Sequence, residues 1–412
     1  MLDDCSFDTK LIHFNSEIEE GAVNKPIYHS TSFAYDSAEE LANVFQQKAQ
    51  GFTYSRINNP TIASFEKRIA DLEGGLAAVA CSSGMAAIAT AILSLVEKGD
   101  EIVAGNSLFG GSYSFLNKDL RSWDIQTVFV ESTDIDAYKK AINKNTKLIY
   151  LETVGNPKLD IPDIKALSKL AHENNLPLVL DNTFMTPYLF KAKDWGADIV
   201  IHSTSKYING SANSIGGIIV DLGTYQWSKG VINTVKDYLK FGPFAYLAKI
   251  RQDIFRNLGV CTSPFNASYN MLGLDTLALR MEKHCDNAMK LAKFLDDEDL
   301  PLKVNYPGLE KHPQHQLARK QFGDKYGGIL TFELENQEAS FNLINSLKLA
   351  KNLANIGDIR TLVIHPASTI YCNLSEEERE ALGVSPGLIR VSVGIENADD
   401  IIKDFKQALS TI

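Results

Sequence analysis

Cysteine is scarce in this chain. Its 412 residues include five, Cys5, Cys81, Cys261, Cys285 and Cys372, odd in number and with no C-x-x-C pair. Such a set offers neither a disulfide framework nor a zinc ribbon, and it reads as free thiols in a reducing, cytoplasmic setting. Positive charge is in deficit too: 41 Lys and Arg face 51 Asp and Glu, for a formal charge of −10. That balance leaves no electrostatic footprint for nucleic acid or an anionic membrane surface. Residues 1–4 carry neither a basic region nor an apolar core, so no secretory signal is expected. His312-x-x-His315 supplies too few ligands for zinc, and no metal is expected. Tandem repeats and low-complexity tracts are also missing.

Long apolar runs are equally few. Residues 74–96 hold 23 positions without a charge, enough in length for a membrane span. Gly74, Gly75, Ser82, Ser83, Gly84, Thr90 and Ser94 interrupt them, which reads instead as a buried strand, a turn and a helix. Overall, 44% apolar and 22% charged residues fit a globular protein, and the length allows two or three domains at ~150 residues each.

Residues 1–60 read as an arm of polar turns and isolated aromatics (Tyr28, Phe33, Tyr35, Phe52, Tyr54), packing on another part of the molecule or on another subunit. Residues 61–255 alternate strand and helix: strands at 76–81, 101–104, 146–152, 176–180 and 197–202, helices at 84–97 and 162–173. This predicts an α/β domain around a mainly parallel sheet, with ligands beyond the carboxyl ends of its strands. Residues 256–412 predict a smaller α+β domain: a long helix over 267–295, strands at 328–334, 362–364 and 388–393, and a final helix over 399–409.

Four strand ends carry candidate chemistry. Ser82-Ser83-Gly84-Met85 opens a helix, where free N–H groups and the dipole suit a phosphate, although a serine N-cap explains it as well. Asp181 ends the apolar run LPLVL, where a carboxylate needs a donor or a cation; it serves as a cap or as the partner of a protonated ring nitrogen. Ser203-Thr204-Ser205-Lys206 places a lysine among buried residues, where desolvation makes the amine nucleophilic, with serines at hand for a phosphate. Asn156, before Pro157, is a turn residue whose amide could also bond a phenolic oxygen. A phosphate cup, an acid for a ring nitrogen, an amide for a phenolate and a Schiff-base lysine are together the needs of pyridoxal phosphate.

On these pieces the chain resembles the Cys/Met-metabolism family of pyridoxal-phosphate enzymes. The matching stretches include PIYHSTSF, YSRINNPT, SSGMAAI, LETVGNP, LDNTF, HSTSKYINGSANSIGG, GLDTLALRMEKHCDNA, YPGLEKHP, GDIRTLVIHPAST and IRVSVGIE. GDIRTLVIHPAST and the preceding Asn355 are similar to the O-acetylhomoserine sulfhydrylase branch.

The resemblance implies the aspartate-aminotransferase-like fold type I and a homotetramer built from dimers. It makes Lys206 the cofactor lysine and proton shuttle, Asp181 the partner of the pyridine nitrogen, and Gly84, Met85, Ser203 and Ser205 the phosphate site. Tyr54 and Arg56 would reach the phosphate of a neighbouring subunit, and Tyr54 would also touch substrate. Arg390 would clamp the substrate carboxylate, with Asn355 nearby.

Two departures bear on the chemistry. The ring-stacking position is Phe109, where relatives carry tyrosine; it can stack but cannot donate a proton, which suits an acetate leaving group better than a thiolate. Gly111 stands where methionine γ-lyases carry cysteine. Gly210-Ser211-Ala212-Asn213 also differs from the Gly-His-Ser/Gly-Asp of relatives.

The expectation is therefore a γ-replacement enzyme making homocysteine from O-acetylhomoserine and sulfide, with free sulfide or a sulfur-carrier protein as donor. The alternatives are a cystathionine γ-synthase or γ-lyase, a methionine γ-lyase, or a non-catalytic protein that keeps the fold.

Overall fold

The computed structural model describes residues 4–13, 21–297, 300 and 302–411. Part of the N-terminal arm and residues 1–3, on which the expectation about a secretory signal rests, lie outside the described residues.

A seven-stranded sheet takes β1 (Ala77–Cys81), β2 (Glu101–Gly105), β3 (Gln126–Val130), β4 (Thr146–Glu152), β5 (Leu178–Asp181), β6 (Ile199–His202) and β7 (Gly217–Asp221), in the order β1-β7-β6-β5-β4-β2-β3. Only β7 runs antiparallel to its neighbours. The central strands are mainly apolar because both of their faces are covered. Ala78, Ile149, Leu151, Leu180 and Val200 pack on one side, and Val79, Leu148, Tyr150, Val179 and Ile201 on the other. Each fully buried Ile or Leu contributes roughly 1.5–3 kcal/mol.

A second, five-stranded sheet takes β8 (Lys303–Asn305), β9 (Ile329–Glu333), β10 (Lys351–Asn352), β11 (Leu362–Ile364) and β12 (Leu388–Ser392), in the order β10-β11-β12-β9-β8. Its Phe332, Ile389 and Val391 belong to the same apolar cluster as Leu151 and Leu180, so one continuous core joins the two sheets.

The uncharged stretch is β1 followed by the helix Gly84–Leu93, which Ser83 caps by accepting from Ala86 N at 3.0 Å. Among the described residues no helix is long and apolar enough to cross a membrane.

The single helix expected over 267–295 is two, Pro264–Asp275 and Leu277–Leu295. At the break, Arg280 takes the carbonyl oxygens of Gly273 (2.7 Å) and Tyr207 (2.6 Å), tying both helices to the turn after β6. Gly273 lies so close that a Cβ there would sit 2.3 Å from the Ile208 carbonyl oxygen. In the arm, the aromatics frame a short helix, Ala38–Phe45, and a bridge between Ser32 and Tyr54.

Candidate active site

Parallel strands end on one side of a sheet, so the residues that follow them converge. Here they line a cavity of about 450 Å³ together with side chains from the second sheet and its loops. Gly84, Met85, Phe109, Asn156, Asp181, Ser203, Ser205, Lys206, Asn355 and Arg390 all face it. Tyr54 and Arg56 do not line their own chain's cavity: Tyr54 is 40% exposed. The Arg56 guanidinium lies 5.5 Å from the Tyr54 ring and donates to the Arg256 carbonyl at 2.7 Å.

One end of the cavity is shaped for an anion. Gly84 opens a helix, where the first backbone N–H groups lack intrahelical partners. A Cβ on Gly84 would stand 2.7 Å from Ser203 Cβ, so only glycine admits this approach. Ser205 accepts from Gly216 N at 2.9 Å, which fixes the loop beside it.

Asp181 sits on the cavity floor. Its Oδ1 accepts from Thr183 N at 3.0 Å, yet burial holds its carboxyl above the usual carboxylate range. A carboxylate so placed gains by meeting a cationic N–H.

Lys206 follows β6 in a tight turn, with Gly210 N donating to its carbonyl at 2.8 Å. Its Nζ donates to Asn355 Oδ1 at 2.6 Å. Burial, with Arg390 nearby, lowers its amine to about 8, so a neutral nucleophilic amine is accessible near neutral pH.

Arg390, on β12, is buried and makes no carboxylate ion pair among the described residues; its Nη1 donates to Asn156 Oδ1 at 3.1 Å. A buried guanidinium without a counter-ion is costly, and a ligand carboxylate would relieve it. Asn156 thus orients Arg390 through the side-chain oxygen, a contact that the sequence reading did not foresee.

Phe109 spreads its ring above Gly111, where a Cβ would meet Phe109 Cε1 at 2.6 Å. Its backbone N–H donates to Glu152 Oε1 at 2.5 Å. The departing loop 210–213 is organised by Asn209, whose Oδ1 accepts from Ser211 N (3.1 Å) and Asn213 N (3.3 Å) and whose amide donates to Asn213 Oδ1 (2.8 Å). Ala212 of that loop reaches the cavity wall.

Sequence reasoning assigned no role to Glu152, Thr183 or Tyr371. Tyr371 donates its hydroxyl to the Asn156 carbonyl at 3.1 Å, a contact between residues 215 positions apart that no local pattern signals. Glu152 was within reach, since it ends a strand as Asp181 does.

The cup, the buried acid and the activated lysine fit pyridoxal phosphate on this structure's own geometry. A comparison of the sequence with known families decides the assignment: the profile described as Cys/Met metabolism PLP-dependent enzyme matches residues 8–410. The chain belongs to this family. Among its relatives, an O-acetyl-L-homoserine sulfhydrylase of Leptospira meyeri is 40% identical, over 98% of this chain and 97% of the relative. An L-methionine gamma-lyase of Fusobacterium nucleatum subsp. polymorphum is also 40% identical, over 95% of this chain and 94% of the relative. A Campylobacter jejuni crystal structure described as an O-acetylhomoserine (thiol)-lyase superposes with a TM-score of 0.91 at 33% identity. That match covers 98% of this chain and 100% of the other, which carries a pyridoxyl-lysine monophosphate. This family member therefore has the type I fold of pyridoxal-phosphate enzymes and uses pyridoxal phosphate.

Proposed function

We propose that the chain is an O-acetylhomoserine sulfhydrylase, forming homocysteine and acetate from O-acetylhomoserine and sulfide. The observation that carries this reading is the pairing, in one cavity, of an activated Lys206 with a buried Arg390 that makes no carboxylate ion pair among the described residues. A relative named for this activity adds to it.

Bound through Lys206, the cofactor supplies an electron sink for a negative charge developing at the substrate Cα. The phosphate would lie on the Gly84 and Met85 N–H groups, with Ser203 and Ser205. Asp181 would keep a proton on the ring nitrogen. Arg390, held by Asn156, would bind the substrate carboxylate, with Asn355 beside it. Lys206 would take the Cα proton, relay one from Cβ, and return them after sulfur has added. In the net exchange the Cγ–O bond breaks and a Cγ–S bond forms; hydrogen sulfide keeps one proton on sulfur and releases the other with acetate.

Phe109 cannot protonate a leaving group, and acetate needs less protonation than a thiolate. This is what favours the ester substrate over cystathionine or methionine. Tyr54 and Arg56, placed away from their own cavity, would complete the site of a neighbouring copy in a homotetramer built from dimers. A cytoplasmic setting and free sulfide as donor complete the reading; delivery by a sulfur-carrier protein is the other source.

The test is a steady-state comparison of acetyl-, succinyl- and phosphohomoserine with sulfide and with cysteine. A clear preference for the acetyl ester with sulfide supports the reading. Ketobutyrate and ammonia formed without sulfide point to a lyase.

A further inference from the structure

Adjacent strands bring two carboxyl groups together at the cavity. Glu152 and Asp181 are register partners at the ends of β4 and β5; both are buried and both line the cavity. Two negative charges side by side in a dry site repel strongly, so one of the pair takes a proton. Asp181 receives both the backbone N–H and the hydroxyl of Thr183, and His202 lies behind it. Glu152 receives a single N–H, from Phe109. Asp160 adds to the negative charge around Glu152 and Arg390 offsets it, while Tyr150 and Tyr371, both buried, are the remaining titratable neighbours. Burial and the Asp181 carboxylate together push the Glu152 carboxyl well above the usual range.

The contact that Glu152 makes shows what it does there. Phe109 N-caps the short helix Gly110–Ser114 with no side-chain cap of its own, and its ring is 40% exposed at the cavity. The one side-chain bond to the Phe109 backbone among the described residues comes from Glu152, 43 positions away. Gly111 lies directly under the ring, so a shift of the Phe109 backbone moves the ring.

We propose that Glu152 is a positioning residue, which fixes the Phe109 ring over the cavity by holding the Phe109 backbone N–H. It does so as the neutral acid, which leaves the negative charge of the pair on Asp181. The inference rests on the reading of this cavity as the pyridoxal-phosphate site.

The experiment titrates pyridoxal phosphate into the apoproteins of wild type, Glu152→Gln, Glu152→Ala and Lys206→Ala, followed by visible circular dichroism and by turnover. Glutamine keeps an uncharged acceptor. Glu152→Gln should retain the cofactor dissociation constant and the pH midpoint of the visible band to within about twofold and about 0.3 pH unit. Glu152→Ala should lose about half or more of the dichroism and about 10- to 100-fold in kcat, with KM changed by no more than about threefold.

Unchanged dichroism and kcat in Glu152→Ala would overturn the positioning role. So would a midpoint shift of about one unit or more in Glu152→Gln, because a charge would then have been removed. If Glu152→Ala does not fold, the Glu152→Gln midpoint alone decides between these results. A wild-type band that vanishes in Lys206→Ala while ignoring Glu152 sinks this inference only; no band in wild type sinks the reading of the site itself.

Discussion

Arg390 and Asn156 meet at 3.1 Å across the two sheets, one on a strand of the smaller sheet and the other in the turn that follows a strand of the larger. The contact aims a buried guanidinium into the cavity and gives the amide a different duty from the one its place before a proline implied. Arg390→Lys keeps a charge but loses the planar fork. Charge-assisted hydrogen bonds are worth about 1.5–3 kcal/mol, so kcat/KM for the amino-acid substrate should fall about 10- to 100-fold, mostly through KM. The visible band of the bound cofactor should remain.

The pH dependence of loading follows from Lys206. Burial lowers the amine to about 8, so the neutral, reactive form grows as pH rises through that value. The rate at which apoprotein takes up pyridoxal phosphate should rise through about pH 8 and then level off. Unfolded chains keep this lysine protonated up to about 10.4, and so bind more protons than the folded state between the two values. Apoprotein stability should therefore gain a contribution as pH rises across that window. Arg390→Gln removes the repelling charge and should move the loading midpoint upward.

Gly84→Ala places a methyl group 2.7 Å from Ser203 Cβ, at the mouth of the anion cup. Affinity for pyridoxal phosphate should fall by at least about tenfold, or ~1.4 kcal/mol, with a smaller effect on folding. Equilibrium titration with fluorescence detection reads both quantities.

The architecture of the large sheet was largely legible. Strands such as Thr146–Glu152 are buried on both faces and stand out by an unbroken apolar centre, here Leu148–Leu151. The edge strand Gln126–Val130 is only half buried, and Gly217–Asp221 follows a loop and opens on the second of two glycines, so neither announced itself. In the site, the residues that end strands were readable because topology alone brings them together. Tyr371 and the Glu152–Phe109 bond were not, since each joins segments that only the folded chain brings close.

Tyr54 and Arg56 provide a test of assembly. If each cavity borrows them from a neighbour, Arg56→Ala and Lys206→Ala proteins, each inactive, should regain activity when unfolded together and refolded. Random pairing makes about half of the dimers hybrids with one intact site in two, so recovery should approach about a quarter of wild type. No recovery, or a fully active monomer, would remove these residues from the site.

The central claim is tested most directly by counting products. Purified holoprotein given O-acetylhomoserine and sulfide should release homocysteine and acetate one for one, and Lys206→Ala should release neither. Ketobutyrate and ammonia in place of homocysteine, or undiminished turnover by Lys206→Ala, would contradict it.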